Sequence, residues 1–415
     1  MRRITSLAIT AAISAALVIP AAAPASAADL RGTVVQDSLF GMHVFGSQDG
    51  AWPTIPFGAL RIWDSGTAWS NIEKSPGVYD WTKLDTVVST AQKNGMTNMM
   101  MVLAGTPAWA SSTPNSKGHP GQLPGEQGMP TDIAYWDRWV EAVVTRYKGR
   151  ITSYQPWNEA NLTTFFTGTP AEMATLTKRA YDIIQRVDPK AQVIAPSTGT
   201  RLGGPFKSFY PKYLAELKQR DWPVDVFTAH TYPASLGTPK DRRALANTFI
   251  DMLRAAGAPD LPIWDTELNF GLAGPGPANP DQDITGRKAQ DWAARAYLDA
   301  LRLGISSAYW YAWGPENDLL GIQMNSAAPA AKALSTLQDW IVGATYVNCI
   351  EKPNKAVTCN FTKGGNRFQV VWSEGPKRVF KAPAGATKSC DINGNCKPLK
   401  GNRTVRVNSP TLLSR

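Results

Sequence analysis

The chain predicts an α/β protein, a (β/α)8 TIM barrel followed by a small C-terminal all-β, sandwich-like domain. Three observations carry this expectation. Short apolar runs alternate with amphipathic stretches eight times between residues 28 and 344. That segment is 317 residues long, inside the range of one barrel. After Ala344 the helical period stops, and residues 345–415 hold all four cysteines and most of the excess positive charge.

The strand candidates are Leu39–Phe45, Ala59–Trp63, Asn98–Leu103, Ile151–Trp157, Gln192–Ala195, Val224–Ala229, Leu261–Thr266 and Ser307–Tyr311. Each is a short run of β-branched, aromatic or other apolar residues ending in polar or aromatic ones. Helical spacing of apolar residues marks Trp81–Asn94, Ile133–Tyr147, Ala171–Val187, Tyr210–Gln219, Arg242–Ala256, Lys288–Leu303 and Ala330–Val342. Eight such units favour a closed barrel over an open sheet, and no Gly-x-Gly-x-x-Gly turn follows the first strand. Gly and Pro crowd Gly271–Asp283, which reads as a long loop after the seventh strand.

Residues 345–415 read as a disulfide-bearing β-domain. Alternating runs such as Phe368-Gln369-Val370-Val371-Trp372 and Thr404-Val405-Arg406-Val407 are separated by Gly, Asn and Pro turns. Of the three pairings open to four cysteines, sequence neighbours are preferred, Cys349 with Cys359 and Cys390 with Cys396. Zinc is the rival reading, but the spacings are not Cys-x-x-Cys and the segment has no His.

The first 27 residues have the form of a secretory signal: a basic Arg2-Arg3, an apolar Leu7–Ile19 and a small-residue Ala25-Ser26-Ala27, with the mature chain expected to start at Ala28. The apolar run falls short of the roughly 20 residues a spanning helix needs, so no membrane insertion is expected after cleavage. A secreted, extracellular location follows.

The formal net charge is +10, but it is unevenly placed. Residues 28–344 hold 28 basic and 30 acidic side chains, and residues 345–415 hold 13 and three. A nearly neutral barrel is no nucleic-acid binder. The basic tail has a bland reading, a solvated surface, and a sharper one, contact with an anionic cell-wall polymer.

The active site of such a barrel lies at the C-terminal ends of its strands. There the chain presents His43, then Arg61, Trp63 and Asp64, then Pro107 and Trp109, then Trp157-Asn158-Glu159. The later strands add His230 and Tyr232, Glu267 and Asn269, and Trp310 and Trp313. Two carboxylates among aromatics and hydrogen-bonding groups suit glycoside hydrolysis. One carboxyl protonates the leaving oxygen and the other attacks or stabilises the anomeric carbon. Trp faces stack on sugar rings, and Asn, His, Arg and Tyr bond their hydroxyls. For the second carboxylate Asp265 competes with Glu267, since strand alternation puts both on one side. Asn161-Leu162-Thr163 matches a glycosylation sequon, but a glycan beside Glu159 would block the cleft.

Trp157-Asn158-Glu159 closing the fourth strand and Glu267 closing the seventh resemble the retaining glycoside hydrolases of clan A, most closely family 39. Trp69 with Glu73-x-x-x-Gly77-x-Tyr79-Asp80-Trp81, and Thr106-Pro107-Ala108-Trp109-Ala110-Ser111, extend the likeness over nearly all of residues 36–344. Ala160 stands where the family usually has Pro. The resemblance implies Glu159 as acid/base, Glu267 as nucleophile and Asn158 on the hydroxyl next to the anomeric centre. It places Tyr232 or His230 as orienting groups for Glu267, Arg61 near the nucleophile and Trp313 as the floor of the subsite. Trp109 and His43 are further candidates for substrate contact. The substrate is then a β-linked oligosaccharide or polysaccharide, and no metal or organic cofactor is called for. A catalytically inactive carbohydrate-binding wall protein and a transglycosylase using the same two Glu residues are the competing functions.

Overall fold

The computed structural model describes residues 29–401 and 403–415; the expected signal segment 1–27 lies outside them. Eight strands form the barrel: β1 Phe40–Val44, β2 Ala59–Ile62, β3 Met99–Val102, β4 Ser153–Gln155, β5 Gln192–Val193, β6 Phe227–His230, β7 Ile263–Leu268 and β8 Ile305–Trp313. They pair in parallel in the order β5-β4-β3-β2-β1-β8-β7-β6. The ring closes between β5 and β6 through a parallel bridge from Ile194 to Val226. There the Ala195 N–H donates to the Val226 carbonyl at 2.9 Å, and the Asp225 N–H to that of Val193 at 2.8 Å. Strands covered on both faces need no alternation, and β1, β2 and β3 are buried at every position.

The helices are α1 Trp69–Ile72, a single turn, then α2 Thr82–Lys93, α3 Ile133–Tyr147, α4 Pro170–Val187, α5 Gly203–Lys218, α6 Pro239–Ala256, α7 Gly286–Leu303 and α8 Pro329–Ile341. Between β1 and β2 the chain makes only a short 3-10 turn, Ser47–Asp49. Local chemistry fixes the helix ends. Thr169 and Glu172 form a capping box before α4, with Pro170 in the first turn, and Thr238 and Asp241 repeat it at α6. Gly257 and Gly304 close α6 and α7 in the left-handed conformation. On α3 the buried set Trp136, Trp139, Val140, Val143, Val144 and Tyr147 is one face at helical spacing, turned onto the ring.

The C-terminal strands are β9 Thr345–Glu351, β10 Ala356–Lys363, β11 Asn366–Ser373, β12 Arg378–Lys381, β13 Lys388–Asp391, β14 Cys396–Pro398, β15 Thr404–Val407 and β16 Thr411–Ser414. Six make a sheet in the order β9-β10-β11-β16-β13-β14, and β12 pairs with β15 as a separate ribbon. Between these two layers Val371, Phe380 and Leu413 share a small core. Both disulfides join neighbouring strands, Cys349 to Cys359 across β9 and β10 and Cys390 to Cys396 across β13 and β14. Residues ahead of the barrel also pair with this unit: the Val35 N–H donates to Ala344 O at 2.8 Å, and the Tyr346 N–H to Thr33 O at 2.9 Å. Partly buried Glu374 takes Arg243 at 2.6 Å and Arg295 at 3.2 Å, which ties the sheet to α6 and α7. Lys352, Lys355, Lys381, Lys388, Lys397 and Lys400 are left exposed.

Candidate active site

A cavity of about 1230 Å³ opens at the C-terminal end of the ring. Glu159, four residues past β4, and Glu267, near the end of β7, both reach it. Glu159 holds φ 40 and Asp64, on the same cavity, φ 56. Such backbone is costly for residues other than Gly, so the surrounding contacts must impose it. They do so at Glu159: its N–H donates to Ser197 Oγ at 2.9 Å, and the next N–H, of Ala160, to Ser197 O at 3.1 Å. Gly199 faces the Glu159 carboxyl so closely that a Cβ there would lie 2.5 Å from Oε1. The Asn161 amide clamps Gly199 from both sides, donating to its carbonyl at 2.9 Å and accepting from its N–H at 2.8 Å.

Glu267 sits in an ion-paired setting. Arg61 Nη1 lies 2.5 Å from its Oε1, and the Tyr232 hydroxyl donates to Oε2 at 3.0 Å. Arg61 is 1% exposed and is a hub. Its Nε and Nη2 donate to Gln155 Oε1 at 3.0 and 2.7 Å, and Nη2 also donates to Asn158 Oδ1 at 2.8 Å. The Asn158 oxygen is thereby occupied, which leaves its Nδ2 to donate into the cavity it lines. Burial pushes the Glu267 carboxyl up from the usual carboxylate range, and the Arg61 charge offsets only part of that rise. The guanidinium in contact and the donating phenol each favour its ionised form. Burial, and then the Glu267 charge, keeps the Tyr232 phenol protonated.

Glu159 sits in the opposite setting. Burial pushes its carboxyl up to about 7, against the charges of Arg201, Arg61 and His119. His230 lies between the two acids. Its Nδ1 is 3.2 Å from Glu159 Oε1 and 3.4 Å from Glu267 Oε2, without a well-aligned hydrogen bond to either. Burial pushes this imidazole down to about 4, so it is a neutral ring.

The structure therefore brings Glu159, Glu267, Asn158, His230 and Tyr232 onto one cavity, with Arg61 directly beneath. Three expected substrate contacts are elsewhere. His43 is wholly buried, with Nε2 3.2 Å from Thr266 O and 3.1 Å from Arg61 Nη1, so it packs behind Arg61. Trp109 turns outward. Its indole donates to Glu73 O at 3.1 Å, and its ring packs edge-on against Tyr135. Trp313 is packed in the main core at 6% exposure, and Tyr311 lines the cavity instead. Asp265 is drawn away from the cavity by Arg242, whose Nη2 donates to it at 2.6 Å. That contact leaves Glu267 as the second carboxylate. The motif residue Glu73 is likewise structural, buried against Trp69 Nε1 at 2.6 Å and Arg138 at 3.1 Å.

Several site residues escaped the sequence reading. Tyr311 donates from its hydroxyl to Asp64 at 2.6 Å and packs edge-on against Tyr232. Gln155 anchors Arg61 and in turn donates to Ala195 O and Thr228 Oγ1, each at 3.0 Å. Ser197 and Arg201 come from the segment after β5. Only Gln155 carried a signal, two residues before Trp157 within the strand candidate Ile151–Trp157.

No protein-family model matches the chain, and no curated protein matches it by sequence. Solved structures do match by fold. One is a family 39 glycoside hydrolase from Bacteroides cellulosilyticus WH2, at 18% identity over 92% of this chain and 82% of that one, with a TM-score of 0.66. Another is a monomeric beta-xylosidase from Caulobacter crescentus CB15, at 16% identity over 92% and 97%, with a TM-score of 0.63. A third is a family 30 endoxylanase from Clostridium papyrosolvens C71, at 15% identity over 93% and 99%, with a TM-score of 0.58. The expected likeness to family 39 thus holds at the level of fold, and the barrel with its β-domain is shared almost end to end.

Proposed function

We propose that the protein is a secreted, retaining glycoside hydrolase that cleaves β-linked sugars, xylosides among the first to be tried. One observation carries the reading: a single imidazole nitrogen touches both carboxylates, one of which is ion-paired while the other titrates near 7. The two oxygens that meet His230 can be no further apart than the sum of those contacts, about 6.6 Å. A retaining pair needs about 5–5.5 Å and an inverting pair about 6.5–9.5 Å, so the bound favours retention.

In this mechanism Glu267 attacks the anomeric carbon as its bond to the leaving oxygen breaks, and Glu159 gives that oxygen a proton. A glycosyl ester on Glu267 results. Water then adds to the anomeric carbon, its proton passes to Glu159, and Glu267 is released. Asn158 Nδ2 is placed to bond the neighbouring hydroxyl. Two disulfides accord with export, and no helix among the described residues is long and apolar enough to cross a membrane. For the exposed lysines of residues 345–415, contact with an anionic wall polymer remains the sharper reading.

The test is a panel of aryl β-glycosides and polysaccharides followed by NMR of the first-formed anomer, with 2-deoxy-2-fluoro glycosides to trap the intermediate. Retained configuration and a label on the peptide bearing Glu267 are expected. An inverted first product, or a label elsewhere, would overturn the mechanism.

A further inference from the structure

Besides the two central acids, the cavity is lined by Asp64 and Glu126 and by three basic residues, Arg201, Lys212 and His119. Arg201 and His119 are among the groups whose charge acts on the Glu159 carboxyl. Arg201 follows Gly199 by two residues, and Gly199 is the backbone against which the Glu159 carboxyl rests. Lys212 reaches the same wall from α5.

Arg201 differs from the other arginines of the barrel. Nearly all of them are ion-paired, as Arg61, Arg138, Arg179, Arg242 and Arg302 are. Among the described residues Arg201 has no carboxylate within 4 Å, although it is only partly exposed. Its one bond runs from Nη1 to Leu272 O at 2.7 Å, which ties it to the loop after β7 and fixes the guanidinium. The Nε–Nη2 edge of the fork has no partner among the described residues, and Arg201 lines the cavity. That edge is the one an oxyanion engages through two parallel hydrogen bonds.

We propose that the substrate carries an anionic group, a uronate carboxylate, on the sugar at the leaving-group side, and that Arg201 reads it with Lys212 in support. This deepens the hydrolase reading and rests on it, because the leaving group departs over the acid/base residue and Arg201 stands beside Glu159. A neutral sugar would leave the free edge of the guanidinium without a match, whereas a carboxylate meets it in plane.

Binding is measured with the Glu267→Gln protein, in which turnover is blocked, on glucuronic-acid-bearing xylan and on uronate-bearing arabinogalactan. The same polymers after carboxyl reduction, and after sulfation of the reduced form, complete the set. The acidic form of at least one polymer is expected to bind about tenfold more tightly than its reduced form at moderate salt. Adding Arg201→Gln should abolish that preference, and Arg201→Lys, which keeps the charge but not the fork, should restore part of it. Tighter binding of the sulfated than of the uronate form would replace carboxylate with sulfate and overturn the proposal as stated. Equal binding of acidic and reduced polymers, or a preference that survives Arg201→Gln, would also overturn it. The latter result would move the anion contact to the basic tail. Hydrolysis is scored separately with the unaltered protein. Hydrolysis without an Arg201-dependent preference removes the anion site alone. A preference without hydrolysis removes the hydrolase reading and leaves an anion-selective sugar groove.

Discussion

Glu159 and Glu267 are the same residue type on the same cavity, yet their surroundings make them different acids. Glu267 rests on a buried arginine and a protonated phenol, and Glu159 has no ion-pair partner beyond a neutral imidazole. One has contacts that favour its anion, and the other is left to titrate near neutrality. The neighbours rather than the carboxyls themselves set the two apart, which suits the proposed roles of nucleophile and proton donor. The sharpest way to break the comparison is to swap in amides. Glu267→Gln should lower kcat by about 10⁴-fold or more on every substrate, since no nucleophile remains. Glu159→Gln should cost about 10²–10⁴-fold on sugars with poor leaving groups and far less in the first step with an activated aryl group, which needs no proton. Equal losses for both variants on both substrate types would show that the two acids are not distinct.

Arg61 defines the Glu267 side. Replacing it with Met strips a buried carboxylate of its ion-pair partner and takes two donors from Gln155 Oε1 and one from Asn158 Oδ1. Breaking a buried pair in this way costs about 3–5 kcal/mol of stability. A denaturant titration should show that loss, with Glu267→Gln losing much less because its amide still meets the phenol and the guanidinium. Comparable losses in both variants would mean that the charge of the pair contributes little.

What the sequence revealed follows the same division. The eight strand candidates were legible because each depends on a local apolar run, and Glu159 because a motif closes the fourth one; Glu267 came from the family resemblance. Misses came where pattern has no hold on geometry. Trp313 was expected at the floor, but the register between β7 and β8 slips between Ala308 and Trp310, and that between β1 and β8 near Trp313. Alternation counted along the strand therefore does not carry through to its end, and Tyr311 takes the cavity. Asp265 and Glu267 were equivalent by period, and Arg242, arriving from α6, separates them. Ser197, Gly199 and Arg201 follow a strand of only two residues, too short for any periodicity. The pairing of residues 33–35 with 344–346 spans the whole barrel, which no local signal reports.

Gly199 sharpens the Glu159 side. With Ala there, the added methyl would lie 2.5 Å from Oε1 and the carboxyl must shift. A displacement of this order costs up to about 10²-fold in rate. The loss should fall on kcat with poor leaving groups and spare activated ones, as for Glu159→Gln. A uniform loss across leaving groups would place the damage in the cavity wall and not in the proton donor.

The smallest expected effect is the most diagnostic, because it reads both acids at once. The proposed mechanism requires Glu267 ionised and Glu159 protonated, so the pH profile of kcat/KM should be a bell. Its alkaline limb lies near 7, where Glu159 loses its proton, and activity falls as pH rises through that value. The acid limb belongs to Glu267. Tyr232→Phe removes one donor to the ionised form of Glu267, which raises that pKa and moves the acid limb to higher pH. At the lower end a hydrogen bond to a charged group is worth about 1.5 kcal/mol, so a loss of about tenfold in kcat accompanies the shift. The alkaline limb should move little, since the phenol makes no bond to Glu159. Arg201→Gln should do the reverse. Removing a cation that favours the Glu159 carboxylate raises the pKa of Glu159, so the alkaline limb moves up while the acid limb stays. If both variants move the same limb, the two carboxyls share their protons as one coupled unit and the division of labour between them is lost.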